Sequence, residues 1–286
     1  MPARTREQLP RGEAVEVIEV LGVRFHCLTR AEAARFVGEM ASGEEKRYVV
    51  KPYSEQMARA AVDPHLREIL NGADLCLADG IGIVWAAHYL SLPGGRLSAL
   101  LQLPLSLGAL VGNPDAVRRP LKENMAGVDF TWEMLARLGE ARARVFILGG
   151  TEAELRGAAE RVRARFPGLE IVGARNGYFN VEGEENEPVL RAINDARPNV
   201  LLVAMGFPRQ EEWIAGNLSR LTVNVAVAEG GSLSFMSGAV RRAPRWLRRL
   251  GLEWLFRLLR QPWRVRRQLA LPLFVLLVVR ERLRAG

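Results

Sequence analysis

From residue 127 to residue 232 the sequence repeats one unit, in which a short apolar stretch, a tight turn and an amphipathic stretch of helical spacing follow each other. Apolar stretches of this length are typical of buried strands, and amphipathic stretches are typical of surface helices. The predicted strands are 144–148, 169–172, 200–205 and 223–228, and the predicted helices are 130–138, 151–166, 187–196 and 210–218. Strands that alternate with helices through short loops form a parallel sheet covered on both faces. The sequence therefore predicts an α/β fold with a Rossmann-like, mostly parallel sheet and helices on both faces.

The first part of the chain predicts further strands and helices. Residues 1–12 are polar and predict a loose end, whereas residues 15–27 alternate in hydropathy around Gly22 and predict a pair of strands. Thr29 followed by Glu32 has the spacing of a capping box, which predicts the start of a helix. The remaining elements predicted here are a strand over 47–51 and one helix over 54–71.

Asp79 and Gly80 follow a predicted apolar strand, 75–78, and precede an apolar helix. A carboxylate at the carboxyl end of a buried strand lies at the edge of the sheet where ligands of open α/β sheets bind. Gly80 allows another molecule to approach the backbone closely. Asp79 is then a catalytic or ligand-holding residue, or it only caps the helix that follows. This stretch alone favours the cap.

Three later loops carry glycine or polar side chains at strand ends. Gly149-Gly150 lies between a strand and a capped helix, which favours an anion or phosphate site, although a tight turn also uses two glycines. Gln210 and Glu211 lie at the start of a predicted helix. They either recognise a sugar ligand through hydrogen bonds or are solvated polar residues of a surface helix. Gly230-Gly231 repeats the pattern. Three such loops in succession indicate one site at the carboxyl edge of the sheet.

Residues 97–111 are uncharged and rich in leucine. The stretch is either a buried helical hairpin or core-covering loop, or a surface that touches lipid or a lipid-linked substrate. The sequence leaves these two alternatives open.

The net charge of +8 is concentrated in the tail. From Arg241 onward there are 13 arginines and two acids, Glu253 and Glu281, so the tail carries +11 and the rest of the chain −3. Tryptophans and leucines alternate with these arginines at helical spacing, as in amphipathic helices that lie at a lipid headgroup boundary. A helix packed on the body and a nucleic-acid arm are alternatives, and the second is less favoured because no nucleic-acid motif accompanies the charge.

The sequence lacks the patterns that indicate a disulfide framework, a metal site, a P-loop or a membrane-spanning segment. The two cysteines, Cys27 and Cys76, lie in apolar stretches without paired spacing, which predicts buried thiols, and the three histidines lack the spacing of metal ligands. The sequence contains no Asp-x-Asp motif and no P-loop. It shows no signal peptide, and the apolar run 269–279 is too short to span a bilayer.

Five short motifs follow one another along residues 15–268. They are Asp79-Gly80-Ile81-Gly82, Gly127-Val128-Asp129, Gly206-Phe207-Pro208-x-Gln210-Glu211, Gly230-Gly231, and Arg242-Ala243-Pro244 with Gly251-Leu252-Glu253-Trp254. In this order they resemble the WecG/TagA/CpsF family of bacterial glycosyltransferases. Each motif alone is unspecific, whereas the ordered set is specific.

The resemblance implies an inverting, metal-independent transfer of a sugar, of N-acetylmannosamine type or another hexose, from a UDP-sugar to a polyprenyl-diphosphate-linked acceptor. Such enzymes act in the synthesis of teichoic acid, exopolysaccharide and related cell-surface polymers, without a cofactor. The resemblance also implies peripheral attachment to the cytoplasmic, inner face of the bacterial cell membrane, where anionic lipid is a partner. Nucleic acid is not an expected partner, and self-association stays open.

Roles are carried over from the family only where motifs match. Asp79 matches the proposed general base, which takes the proton of the acceptor hydroxyl. The residues expected to bind substrate are Lys51, Tyr53, Gly80, Asp129, Gly149, Gly150, Gln210, Glu211, Gly230, Gly231, Arg242, Arg257, Arg264 and Arg267. The four tail arginines are expected at a diphosphate, where fixed positive charge stabilises departing UDP.

Lys51 and Tyr53 depart from the Thr-x-Asn-x-Glu pattern that the family usually has there. The departure makes the donor sugar uncertain and leaves an alternative function open, that of a non-catalytic nucleotide-sugar or lipid-phosphate binding protein at the membrane. We divide the chain into a body, 1–240, with a leucine-rich insertion at about 91–120, and a basic amphipathic helical C-terminal appendage, 241–286.

Overall fold

The computed structural model describes residues 4–9, 12–125, 127–240, 243–244, 247, 256, 258–259 and 270–285. Its first element is a small antiparallel sheet of three strands, β1 (Arg4–Gln8), β2 (Ala14–Val20) and β3 (Val23–His26). The strand pair around Gly22 is confirmed. The loose end predicted for residues 1–12 is wrong over Arg4–Gln8, because this polar segment pairs with β2 along its whole length.

The main sheet has six parallel strands in the order β5-β4-β9-β8-β6-β7. These are β4 (Arg47–Val50), β5 (Leu75–Cys76), β6 (Arg144–Gly149), β7 (Glu170–Arg175), β8 (Val200–Ala204) and β9 (Val225–Ala228). The Rossmann-like sheet is thereby confirmed. Strand β5 is two residues shorter than predicted. It lies at an edge, where the buried ring of His26 accepts a hydrogen bond from the Cys76 amide through Nδ1 at 3.1 Å. Burial lowers the pKa of His26, which favours the neutral ring that can accept this bond.

Helices cover both faces of the main sheet. They are α1 (Arg30–Ala41), α2 (Ser54–Ala60), α3 (Pro64–Asn71), α4 (Ile81–Ser91), α5 (Arg96–Gly112), α6 (Gly127–Glu140), α7 (Glu152–Arg165), α8 (Asn186–Ala196), α9 (Arg209–Asn217) and α10 (Ser232–Met236). Short 3₁₀ turns lie at Pro114–Val117 and Leu218–Arg220, and the helix Ala270–Ala285 is called the terminal helix below.

Alternate residues of the strands serve two separate cores. In β8, Leu201 and Val203 face one core and Val200 and Leu202 face the other, as the two-residue period of a strand requires. The first core contains side chains of α2, α3, α4, α8, α9 and the terminal helix, and the second contains side chains of α1, α6, α7 and α10.

Side-chain caps mark the start of α1, α3 and α7. The capping boxes of Thr29 with Glu32 and of Thr151 with Glu154 are both present, as predicted. The single helix predicted over 54–71 is wrong. It is divided into α2 and α3, because the Asp63 side chain accepts a hydrogen bond from the Leu66 amide and starts a new helix.

The terminal helix packs on the body. Phe274 and Val278 are buried in the same core as α2 and α4, and Glu281 Oε2 accepts a hydrogen bond from the Leu21 amide at 2.9 Å. The predicted C-terminal appendage is helical over Ala270–Ala285, whereas the stretch rich in tryptophan and arginine that precedes it lies almost entirely outside the described residues. Within the part of the chain that the structure describes, no helix is both long and apolar enough to cross a bilayer. The division of the chain at residue 240 stays a prediction.

Candidate functional site

The loops that carry the predicted site residues meet at one edge of the main sheet. All six strands are parallel, so their carboxyl ends lie together. The second and third strands of the sheet, β4 and β9, are neighbours, but the chain leaves β4 toward β5 on one side and reaches β9 from β8 on the other. A crevice at such a reversal of strand order is the usual ligand site of open α/β sheets.

Asp79 does not cap the helix that follows it. The N-cap residue of α4 is Gly80, and no side chain caps this helix. Instead, Asp79 Oδ1 accepts a hydrogen bond from the Gly127 amide, at 3.3 Å, at the start of α6. The cap that the local sequence favours is therefore wrong, and the half-buried carboxylate faces the amino end of a distant helix.

The backbone around Asp79 is fixed by a second segment. Gly80, whose φ is +97°, donates a hydrogen bond from its amide to Asn124 Oδ1 at 2.7 Å, and the Met125 amide donates to the Ala78 carbonyl. A Cβ on Gly127 would lie 3.0 Å from Ser232 Oγ and 3.5 Å from Asp79 Oδ2. The site therefore includes Asn124 and Ser232, which sequence reasoning did not select.

Lys51 and Glu229 form a buried ion pair between the ends of β4 and β9. Lys51 Nζ lies 2.8 Å from Glu229 Oε2, and the two side chains are 3% and 1% exposed. The hydroxyl of Thr131, on α6, lies 2.6 Å from the same carboxylate oxygen and 2.8 Å from the Gly127 carbonyl. Lys51 is thus engaged inside the protein. A direct contact of Lys51 with substrate stays a prediction.

Glu229 and Thr131 are the second set of residues that the sequence reasoning missed. Glu229 directly precedes Gly230-Gly231 in the sequence, and its charge, opposite to that of Lys51, is a signal for pairing. Tyr53 begins α2 and donates its amide to Gln56 Oε1 at 3.0 Å. Its predicted ligand contact is untested.

Gln210 ties the loops after β8 and β9 together. Its Oε1 accepts hydrogen bonds from the amides of Gly206, at 3.2 Å, and of Gly230, at 3.1 Å. Both glycines have positive φ, +81° and +50°, which favours glycine. The amide oxygen of Gln210 is therefore used to shape the loops. Gly231 follows as the N-cap residue of α10, with no atom near a Cβ built on it.

Glu211 is buried beside Gln210 on the first turn of α9. Gln210 Nε2 donates a hydrogen bond to Glu211 Oε1 at 2.9 Å, while Oε2 has no hydrogen-bond partner among the described residues. Burial raises the pKa of Glu211 to about 7. This carboxyl is protonated in a large fraction of molecules at neutral pH, and its place in the donor pocket stays a prediction.

Gly149 and Gly150 make a turn that only glycine fits. A Cβ on Gly149, at φ +134°, would lie 2.2 Å from the Ala204 carbonyl oxygen, and one on Gly150 would lie 2.5 Å from Leu233 Cδ2. The Gly150 amide donates to the Ala204 carbonyl, and the Thr151 amide donates to Glu154 Oε2. The α7 N-terminus thus already has a carboxylate of its own, and phosphate binding at this turn stays a prediction.

Other predicted residues lie apart from this cluster or outside the described residues. Asp129 lies on the first turn of α6, where its carboxylate is 3.9 Å from Arg30 Nη1. Arg242, Arg257, Arg264 and Arg267 lie outside the described residues. Within the described ranges, no three His, Cys, Asp or Glu side chains are grouped as metal ligands.

The chemistry available at this edge is that of a positioned base. Asp79 offers a half-buried carboxylate oriented by a backbone N–H, and the hydroxyl of Ser232 lies beside the same turn. The loops of Gly206 and Gly230 place backbone groups along the neighbouring strand ends. Such a carboxylate can take a proton from a hydroxyl that enters the crevice.

Comparison with known sequences gives a family match over nearly the whole chain. A model described as "Glycosyl transferase WecG/TagA/CpsF family" matches residues 18–103 and 109–286. The interruption, 104–108, lies within α5. Asp79, Gly127, Gln210 and Gly230 all fall inside the matched ranges.

Named relatives share moderate identity with the chain. It is 29% identical over 234 residues to the N-acetylglucosaminyldiphosphoundecaprenol N-acetyl-beta-D-mannosaminyltransferase of Bacillus subtilis (strain 168). The aligned stretch covers 82% of this chain and 79% of that protein. The protein of the same name from Bacillus spizizenii (strain ATCC 23059 / NRRL B-14472 / W23) is 32% identical over the same shares. That of Staphylococcus aureus (strain MW2) is 26% identical over 90% of each chain.

Proposed function

The chain belongs to the WecG/TagA/CpsF family of glycosyltransferases, and on this premise we propose that it transfers a sugar from a UDP-sugar to a polyprenyl-diphosphate-linked acceptor. The donor sugar is of N-acetylmannosamine type or another hexose, and the product enters a cell-surface polysaccharide. The names of the relatives support an acceptor that carries N-acetylglucosamine on undecaprenyl diphosphate. The single observation that carries the proposal is the position of Asp79, a half-buried carboxylate beyond the carboxyl end of β5 that accepts a hydrogen bond from the Gly127 amide.

The proposed reaction is one displacement with Asp79 as base. The Asp79 carboxylate takes the proton of the acceptor hydroxyl while that oxygen forms a bond to the anomeric carbon of the donor sugar. The bond from the anomeric carbon to the UDP oxygen breaks, and UDP leaves with the electron pair. A single displacement inverts the configuration at the anomeric carbon.

The first turn of α6 orients the base. The Gly127 amide donates to Asp79 Oδ1, and α6 is held against the site by the contact of Thr131 with Glu229. Because the carboxylate is held before substrate arrives, less ordering is needed in the transition state. Gly127 also leaves room beside Ser232 that a larger residue would fill.

The donor is proposed to lie along the loops after β8 and β9. Gln210 holds the two loops together, so the backbone of Gly206, Gly230 and Gly231 forms the wall that UDP-sugar meets. The departing UDP is stabilised by arginines of the tail, Arg242, Arg257, Arg264 and Arg267, without a metal. The acceptor lipid places the reaction at the inner face of the cell membrane.

The ion pair of Lys51 and Glu229 bears on the non-catalytic alternative. That alternative was based on the departure of Lys51 and Tyr53 from the family pattern. A buried partner for Lys51 gives its charge a structural use that does not require loss of catalysis. The transferase is therefore the function we propose.

The test is transfer to a short-chain lipid-diphosphate acceptor from a panel of UDP-sugars, with and without a chelator. We expect one donor to be preferred, activity to persist with the chelator, and Asp79→Asn to reduce turnover roughly 10²–10⁴-fold. Asp195→Asn is the matched control, because that exposed carboxylate lies on the last turn of α8, which precedes the amino end of β8. Full activity of a folded Asp79→Asn variant would contradict the role of Asp79, and no transfer from any donor would contradict the function.

A further inference from the structure

Helix α5 presents an uncharged leucine surface to solvent. Its exposed apolar residues recur at helical spacing along one side, and we call this side the leucine face. The leucine face consists of Leu97, Leu100, Leu101, Pro104 and Leu105. Leu97, Leu101 and Leu105 are 74%, 65% and 73% exposed. Contiguous apolar surface of this kind marks an interaction site more often than scattered exposed leucines do.

The opposite side of α5 is anchored to the body. Trp85 Nε1 donates a hydrogen bond to Ser106 Oγ at 3.0 Å, and the Tyr89 hydroxyl donates to the Ala99 carbonyl at 2.9 Å, with all four residues buried. The buried Arg282 of the terminal helix donates to the Leu90 carbonyl at 3.3 Å and to Gln102 Oε1 at 3.4 Å. The leucine face is therefore held outward by specific contacts.

The charged residues of α5 and of the exposed side of the terminal helix are arginines. Arg96 is the one charged residue of α5, and its Nε donates to the Leu283 carbonyl of the terminal helix at 3.1 Å. On the exposed side of the terminal helix, Leu273 and Leu276 are followed by Arg280 and Arg284. Leucines bordered by arginines are the composition of surfaces that lie at an anionic lipid boundary.

We propose that the leucine face docks on the surface of an anionic lipid bilayer. The leucines enter the boundary between headgroups and acyl chains, and Arg280 and Arg284 lie at the lipid phosphates. A second copy of the chain fits less well, because a two-fold contact brings the same patch together and the described exposed sides of α5 and the terminal helix carry no carboxylate to meet these arginines. The inference rests on the proposed function, whose acceptor is anchored in lipid.

The leucine face is connected to the site by packed helices. Helix α4 begins directly after Asp79 and Gly80 and holds α5 through Trp85 and Tyr89. The terminal helix reaches the same region, since Phe274 Cε1 lies 3.8 Å from a Cβ built on Gly82. A bilayer on the leucine face is therefore separated by α5 from α4, the helix that begins directly after Asp79 and Gly80.

The first experiment places a polarity-sensitive fluorophore on the leucine face. Both native cysteines are buried, and burial raises the pKa of Cys76, so neither competes well for a thiol-reactive label. In the Leu101→Cys variant the label therefore attaches to the exposed new thiol. With vesicles of phosphatidylglycerol and phosphatidylcholine we expect a blue shift at position 101 and none in Tyr178→Cys, whose exposure is similar at 74%. No shift at 101 on vesicles that bind the protein would overturn the inference. A shift that depends on protein concentration without lipid would also overturn it, because it indicates a second copy.

The second experiment measures vesicle affinity of the full chain. We expect the triple change Leu97→Asp, Leu101→Asp and Leu105→Asp to weaken sedimentation with anionic vesicles by roughly tenfold or more, because three leucines no longer enter lipid. Tyr178→Asp is the matched control. Equal affinity of the triple variant and the control would overturn the inference. Neither experiment uses a sugar donor, so a failure here is distinct from a failure of the proposed transfer reaction.

Discussion

Two regions of the molecule reverse the ordinary distribution of polar and apolar residues. At the carboxyl edge of the sheet, Lys51 and Glu229 carry full charges in the interior, at 3% and 1% exposure. On α5, Leu97 and Leu105 are 74% and 73% exposed to solvent. The interior charges compensate each other at 2.8 Å, whereas the outer leucines leave most of their surface in contact with solvent. The first region is complete within one chain, and the second is completed by a membrane in our proposal.

The two regions also differ in what a substitution disturbs. A buried ion pair leaves an uncompensated charge when one partner is removed, which is among the costliest changes in a protein. Replacement of an exposed leucine by a polar residue changes the free energy of unfolding little, because water already surrounds the side chain. Stability measurements therefore separate a surface kept for binding from residues kept for the fold.

The largest expected change in stability comes from Lys51→Thr, which restores the residue that the family pattern has there. We expect a loss of about 3–5 kcal/mol in the free energy of unfolding, because Glu229 stays buried without its cation. The double variant Lys51→Thr, Glu229→Gln should recover most of this loss. Urea unfolding measures both. A single variant that loses less than about 1 kcal/mol would show that the pair does not stabilise the site.

The buried carboxyl of Glu211 predicts a pH dependence of stability. Its folded-state pKa of about 7 lies above the ordinary value of 4.5, so the folded chain retains a proton that the unfolded chain has released. The contribution of this group to the free energy of unfolding is highest below about pH 4.5. It falls as the pH rises through about 7, by on the order of 3 kcal/mol. Urea midpoints from pH 4 to pH 8 should fall less in Glu211→Gln than in the native chain. Parallel curves would contradict the shifted pKa.

The smallest expected effect is on the leucine face. Leu101→Asp should change the free energy of unfolding by no more than about 0.5 kcal/mol, because its side chain is already exposed. Ala99→Asp, on the buried side of the same helix, should cost more than about 2 kcal/mol, because a carboxylate enters the contact with Tyr89. Thermal unfolding compares the two. Equal losses would mean that both sides of α5 are packed in solution.

Much of the fold was predictable because it depends on short-range patterns. The strands of β6, β8 and β9 are short apolar runs, and the capping boxes at Thr29 and Thr151 fix helix starts within four residues. The error at β1 has the same origin, since its polar sequence gives no strand signal and its structure comes from pairing with β2. The division of α2 from α3 has a local signal in Asp63-Pro64, a capping residue followed by proline at the first helical position.

The site was predictable in its location but not in its contacts. The edge of the sheet follows from strand ends, and Asp79, Gln210 and Gly230 do lie there. The partners of these residues are distant in sequence, so no local pattern shows that Asp79 receives the Gly127 amide or that Glu229 neutralises Lys51. The opposite charges of Lys51 and Glu229 are a sequence signal for an ion pair. They indicate that pair only once the strand order shows that β4 and β9 are neighbours.

Helix α4 joins the loop of Asp79 to the helix that carries the leucine face. It begins two residues after Asp79 and is fixed to α5 by Trp85 and Tyr89. In our proposal Asp79 is the base and the leucine face lies in lipid, so α4 and α5 fix the position of the base relative to the bilayer. We then expect the distance between the acceptor hydroxyl and its lipid anchor to contribute to specificity. Transfer to an acceptor with one additional sugar should be weaker in the same assay.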